Sequence, residues 1–306
     1  MNEAIRQMLS AYEVKSLEDS LRALREIMQE IALLGLWRGK FFEKAAFYGG
    51  TALRVLYGLD RFSEDLDFSL LAAQQEFNLS DYSRALRKEL ESFGFKVRVE
   101  PKVRTPEAAV QSAFIKADTR AQMITVEFDQ SLIRQVPRNQ VLKIKLEVDI
   151  NPPPGFLTEM RYLLRPIPFA VRAFTLPDMF AGKMHAVLAR GWKSRMKGRD
   201  WYDLVWFAAY HPELRLAHLE QRMRQTGHWT GPAALTEDDL HHLLVQRIEK
   251  VNIEQIKQEV EPFVKDPASL AVWSKNFFLD IASRIKLIKV AAWPCIKNLR
   301  QQTSLA

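Results

Sequence analysis

The chain has 306 residues, 47% of them hydrophobic and 26% charged, with a net charge of +7 and a pI near 9.4. That length suits one large domain or two ordinary ones, and the single cysteine, Cys295, excludes an internal disulfide and suits a reducing compartment. Glu3, Glu13, Glu18 and Asp19 with no apolar segment argue against a signal peptide, no apolar run approaches the ~20 residues of a membrane helix, and a cytoplasmic protein without membrane association is expected.

In chain order, Leu17, Leu21, Leu24, Ile27, Met28, Ile31 and Leu34 recur at three- and four-residue steps and predict an amphipathic helix over 17–34. Ala45 to Tyr48 is a short apolar strand, Thr51 to Tyr57 a helix closed by Gly58, and Asp65 to Leu71 a strand. Residues 80–92 are helical. The period then changes: "GFKVRVEPKV", "AFIKAD", "MITVEFD" and "KIKLEVDI" alternate as strands. "NPPPGF" is a hard break, because proline cannot sit inside a paired strand. "RYLLRPIPFAVRAF" is strand again. From Leu176 the chain is helical over 177–190, 199–210, 235–249, about 252–263 and about 267–290. The expected organisation is a lead-in (1–44), an α/β (α+β) domain with a mixed sheet (45–175) and an all-helical C-terminal bundle (176–306).

Gly49-Gly50-Thr51 stands between a strand and a helix. It is either a plain turn with a Thr cap or a phosphate cradle, where glycine admits a ligand to the backbone and the helix offers free N–H groups. Asp65 and Asp67, two apart on a strand, project together. They are either a charged strand edge or ligands for a hard divalent cation. In "KIKLEVDI", Lys143, Lys145, Glu147 and Asp149 share one face. Asp149 beside the Asp65/Asp67 pair would complete a three-carboxylate cluster able to hold two metals about 3.5–4 Å apart for phosphoryl displacement.

In the helical half, Lys183 falls within the apolar stripe of Phe180, Met184 and Val187. Asp200 and Asp203 share a face with Leu204 and Phe207. Such inward charges either form a buried salt bridge between two helices or reach into a site, and both can hold. Residues 151–200 carry nine basic residues against Glu159, Asp178 and Asp200, which points to a polyanionic partner. His211, His218, His228, His241 and His242 lack partners at zinc spacing and suit surface or capping roles. Trp201 and Trp206 suit the core, while Trp192 lies in a basic loop.

"GGTALRVLYGLDRFSEDLDF" resembles the first motif of the AbiEii/AbiGii-type toxin nucleotidyltransferases, a branch of the DNA polymerase β-like nucleotidyltransferase superfamily. "KLEVDI" resembles the second motif, and "LPDMFAGKMHAVLAR" followed by "KGRDWYDL" the third, all in the right order over about residues 45–210. The resemblance implies transfer of a nucleoside monophosphate from an NTP with release of pyrophosphate, by the toxin of a bacterial toxin–antitoxin or abortive-infection pair with a cognate antitoxin. It implies two Mg²⁺ on Asp65, Asp67 and Asp149, with Lys183 and Asp203 also catalytic. It implies nucleotide contacts from Gly49, Gly50, Thr51, Ser63, Lys183, Arg199 and Asp200. Some relatives add nucleotides to tRNA 3′ ends. The basic segment suits an RNA acceptor touching Arg190, Lys193, Arg195 and Lys197. Two rival expectations stand beside it: a protein or small-molecule hydroxyl as acceptor, or a nucleotide-binding toxin without turnover.

Overall fold

The computed structural model describes residues 3–102, 108–190 and 197–288. Cys295, Trp192, Lys193, Arg195 and the end of the last expected helix lie outside them. Helices α1 (Glu3–Leu9) and α2 (Leu17–Arg38) lead into β1 (Ala45–Tyr48), α3 (Gly49–Tyr57) and β2 (Leu66–Leu70). Ser16 caps α2 by accepting from the Asp19 N–H. Then come α4 (Ser83–Ser92), β3 (Arg98–Pro101), β4 (Val110–Asp118), α5 (Thr119–Thr125), α6 (Gln130–Gln135), β5 (Val141–Asp149), β6 (Thr158–Leu163) and β7 (Phe169–Phe174).

The seven strands form one mixed sheet in the order β3-β4-β5-β2-β1-β7-β6. β2 runs parallel to β5 and β1 parallel to β7, while β1 and β2 are antiparallel. Leu66, Phe68, Leu146 and Val148 face the core, and α2 packs on that sheet. Asp67 and Glu147, directly paired across β2 and β5, face the other way.

The second half carries α7 (Leu176–Ala189), α8 (Gly198–Tyr210), β8 (Glu213–Arg215), α9 (Leu216–Gln225), α10 (Glu237–Lys250), α11 (Ile253–Val260), α12 (Lys275–Ser283) and β9 (Lys286–Ile288). It is helical as expected, with one addition: β8 and β9 pair in parallel as a small separate sheet. Among the described residues, no helix is long and apolar enough to cross a membrane. Trp201 and Trp206 are buried.

Several expectations change. "MITVEFD" is not a strand. Asp118 accepts from the Ala121 N–H and starts α5 there, and the chain then turns through Glu127 at a positive φ. Met123, Val126 and Phe128 are buried all the same, so burial mimicked the alternation of a strand. The single helix over 267–290 is divided: Ser274 caps a new helix, α12, at Phe277, and β9 follows. Helix α9 went unread because its apolar positions are few among polar ones.

Candidate active site

Helix α3 begins at Gly49, two residues ahead of the expected start, with Tyr48 as its N-cap. Gly49 has φ +84°, and a Cβ there would stand 2.5 Å from Oδ2 of Asp67. Only glycine tolerates both the conformation and the approach. A Cβ on Gly50 would stand 2.8 Å from both Nη2 of Arg61 and Oγ of Ser63. The two glycines thus bring the first turn of α3, with its free N–H groups, against the start of β2.

The connection from α3 to β2 is tied down from three sides. Thr51 donates its hydroxyl to the Asp65 carbonyl and is hydrogen bonded to Ser63 Oγ at 2.9 Å. Gln29 of α2 donates to the Glu64 carbonyl at 2.9 Å. Arg54 donates to the Leu59 and Arg61 carbonyls, both at 3.2 Å, and pairs with Glu26. Thr51 is buried, and its hydroxyl is taken up by these bonds and does not cap α3.

One cleft is lined by Gly50, Arg61, Ser63, Asp65, Asp67, Glu147, Lys183, Arg190, Lys197, Arg199 and Asp200. Asp65, just before β2, and Asp67 within it meet there as expected. Asp149 does not line this cleft. In the β2–β5 register Asp67 faces Glu147, whereas Asp149 faces Ser69, and the Asp149 carboxylate accepts from the Asn151 N–H at 3.0 Å. The acid beside the pair is Glu147. Sequence spacing puts Glu147 and Asp149 on one face alike, and only the register separates them.

The electrostatics reflect this grouping. Burial, with the charges of Asp65 and Glu147 adding to it, pushes Asp67 up to about 6 against the opposing pull of Lys183 and Lys197. Burial and then Glu147 also raise Asp65. Among the described residues, no three His, Cys, Asp or Glu side chains are drawn together at metal-holding distance. The donor set is nonetheless all oxygen, and its mutual repulsion is of the kind a hard divalent cation relieves.

The helical half supplies the cationic wall. Lys183 of α7 makes an ion pair with Asp203 of α8 at 2.7 Å, and its charge also acts on Asp67. Lys183 therefore bridges two helices and also lines the cleft. Asp203, fully buried, is gripped also by Arg61, whose Nε and Nη2 donate to its two carboxylate oxygens at 2.6 and 2.7 Å. Burial works to raise Asp203, but Arg61 and Lys183 outweigh it and hold it below the usual carboxylate range. Asp203 is therefore a support behind the cleft. Arg61, absent from the expected site, ties the loop before β2 to α8; its position inside the first motif was the available signal.

Asp200 pairs with Arg190 at 2.8 Å. Arg199 lies over the Phe263 ring at 4.1 Å, with Nη1 3.8 Å from Glu64. Lys197 lines the cleft, and desolvation of its ammonium there, then the charge of Arg190, lower its pKa. His218, expected at the surface, is fully buried beside Asp178.

A family model for the nucleotidyl transferase AbiEii toxin of a type IV toxin–antitoxin system matches residues 31–280. No curated protein matches the chain. Similar solved structures include JHP933 from Helicobacter pylori, at 17% identity and TM-score 0.49, covering 85% of this chain and 89% of that one. A candidate nucleotidyltransferase from H. pylori has 18% identity and TM-score 0.44, covering 85% and 92%.

Proposed function

Since this chain belongs to the AbiEii nucleotidyl transferase toxin family, we propose that it moves a nucleoside monophosphate from an NTP to RNA, at the 3′ end of a tRNA. The observation that carries this reading is the single cleft in which Asp65, Asp67 and Glu147 face Lys183, Arg190, Lys197 and Arg199 across the first turn of α3. Carboxylates on one wall and cations on the other suit a triphosphate neutralised from both sides.

In the proposed reaction the acceptor hydroxyl oxygen forms a bond to the α-phosphorus. The bond from that phosphorus to the bridging oxygen breaks, pyrophosphate leaves, and the hydroxyl proton passes to the Asp67–Glu147 pair. Asp65 and Asp67 would hold a divalent cation, Mg²⁺ by their all-oxygen chemistry. Such a cation neutralises the triphosphate and makes the hydroxyl more acidic. The Gly50 backbone, Ser63, Lys183 and Arg199 bind the phosphates. Asp200 and Asp203 act through the cations they hold, Arg190 for the first, Lys183 and Arg61 for the second. The basic edge at Arg190 and Lys197 supports a polyanionic acceptor over a small molecule. As a toxin of this family the protein has an antitoxin counterpart, in defence against phage.

The test is incubation with each labelled NTP, Mg²⁺ and total bacterial RNA. Label in the tRNA band that disappears with Asp67→Ala supports the proposal. Label in protein, or in nothing, defeats the RNA acceptor.

A further inference from the structure

Helix α9 carries an arginine in surroundings that the proposed chemistry leaves unused. Asp178 is fully buried and fixed by the Thr175 hydroxyl at 2.5 Å, the Leu157 N–H at 3.1 Å and Arg215 Nε at 2.9 Å. His218, also fully buried, has Nδ1 3.1 Å from Oδ1 of Asp178. On the far side of the ring, one turn along α9, Arg222 donates its Nε–H to His218 Nε2 at 3.1 Å. An acceptor at Nε2 places the ring proton on Nδ1, which lies 3.1 Å from the carboxylate without hydrogen-bond geometry. Burial, and after it the charge of Arg222, outweigh Asp178 and hold His218 below the usual imidazole range, so the ring is neutral.

This support engages only Nε of the guanidinium. Among the described residues, the two terminal nitrogens of Arg222 donate to no acceptor and Arg222 makes no ion pair. The group lies against helix α7 where Gly182 leaves space: a Cβ there would be 3.7 Å from Arg222 Cζ. Cζ is 5.7 Å from the ring centroid of Tyr48, which pairs directly with Asp67 across β1 and β2. The charge of Arg222 is felt at Asp149 and at Tyr48. Arg222 therefore stands beside Tyr48, on the helix whose Gln225 donates to the Asn151 carbonyl at 2.7 Å just past Asp149, and it does not line the cleft of Lys183, Lys197 and Arg199.

A guanidinium aimed by a buried His–Asp pair, with both terminal groups free, presents a planar fork that matches the oxygens of a phosphate. The nucleotide's phosphates already have a cationic wall on the other side of the carboxylates. We propose that Arg222 binds a backbone phosphate of the acceptor RNA, where the strand passes Asp149 on its way to the Asp67–Glu147 pair. The assignment rests on the RNA-acceptor reading given above and adds the site at which that strand is gripped.

The test uses the full chain and fluorescein-labelled total tRNA, with binding followed by anisotropy across a salt series and without NTP. Arg222→Gln should weaken RNA binding about tenfold, as loss of a charge-assisted pair of hydrogen bonds predicts. It should also lower the slope of log affinity against log salt by about one contact. Binding of a fluorescent NTP, measured separately, should stay at the wild-type level. If Arg222→Gln melts early, Arg222→Lys takes its place: it keeps the charge and loses the fork, so RNA binding weakens while the salt slope stays. Unchanged RNA affinity and slope in a folded variant would overturn the assignment alone, as would a loss of NTP binding in place of RNA binding. A wild-type chain that binds NTP but no RNA would overturn the acceptor reading and the assignment together.

Discussion

Arg61 holds Asp203 with two parallel hydrogen bonds, 2.6 and 2.7 Å long, between residues 142 positions apart. Both side chains are buried, and Arg61 relies on Asp203, which it shares with Lys183, to compensate its charge in a low-dielectric site. Arg61→Ala should therefore destabilise the fold by about 3–5 kcal/mol, seen as a lower denaturant midpoint. Pairing it with Asp203→Leu should restore much of that loss while transfer activity stays absent, because Lys183 has then lost its anchor. A single variant as stable as wild type would show that the pair does not hold the two halves together.

Gly49 separates two effects. Gly49→Ala meets both a positive φ and a clash with Asp67. Strain of this kind costs about 1–3 kcal/mol, which a protein of this size absorbs. Displacement of the Asp67 carboxylate should instead abolish nucleotide transfer. Circular dichroism and the labelled-NTP assay, run on the same sample, should show a folded, inactive protein; full activity would count against Asp67 as a reacting group.

The β2–β5 register ranks two acids that sequence alone leaves level. Glu147→Gln should lower single-turnover transfer at least a hundredfold, the scale of losing an acid–base group. Asp149→Asn should cost less, since its carboxylate caps Asn151 and lies off the cleft. The reverse ranking would return Asp149 to the position first expected of it.

Glu30 of α2 is a buried acid outside the cleft. Burial, with Glu26 adding to it and Arg165 at 3.6 Å opposing, pushes it from 4.5 up to about 7. The folded chain therefore binds this proton more tightly than the unfolded one. Its contribution is fully present below pH 4.5 and is lost as pH rises through about 7. Glu30→Gln should remove that dependence and raise stability at pH 8 by up to about 3 kcal/mol, with little change at pH 5. Thermal melts at the two pH values measure it, and equal shifts at both would show that Glu30 does not titrate in this window.

What sequence reading reached, and what it missed, follows from which interactions are local. β1, α3 and its Gly58 cap depend on neighbours in the chain, and they appear where the pattern put them, α3 two residues early. Lys183 and Asp203 betrayed themselves by standing on apolar stripes, and they are paired. The family drawn from three motifs in order is the family whose model matches. By contrast, Glu147 over Asp149 depends on a strand register set by residues eighty positions away, roughly, in a parallel pairing that no local pattern encodes. Arg61 was visible as part of a motif, but its partner lies in another helix. "MITVEFD" failed because one Asp118 side chain, capping three residues on, outweighed seven residues of alternation.

The distance in sequence between Arg61 and Asp203 also sets a timetable. During synthesis the arginine emerges from the ribosome long before its acid exists, and a nascent chain halted short of residue 203 lacks the carboxylate that holds both Arg61 and Lys183. The cleft proposed as the active site is therefore braced only after α8 has cleared the exit tunnel.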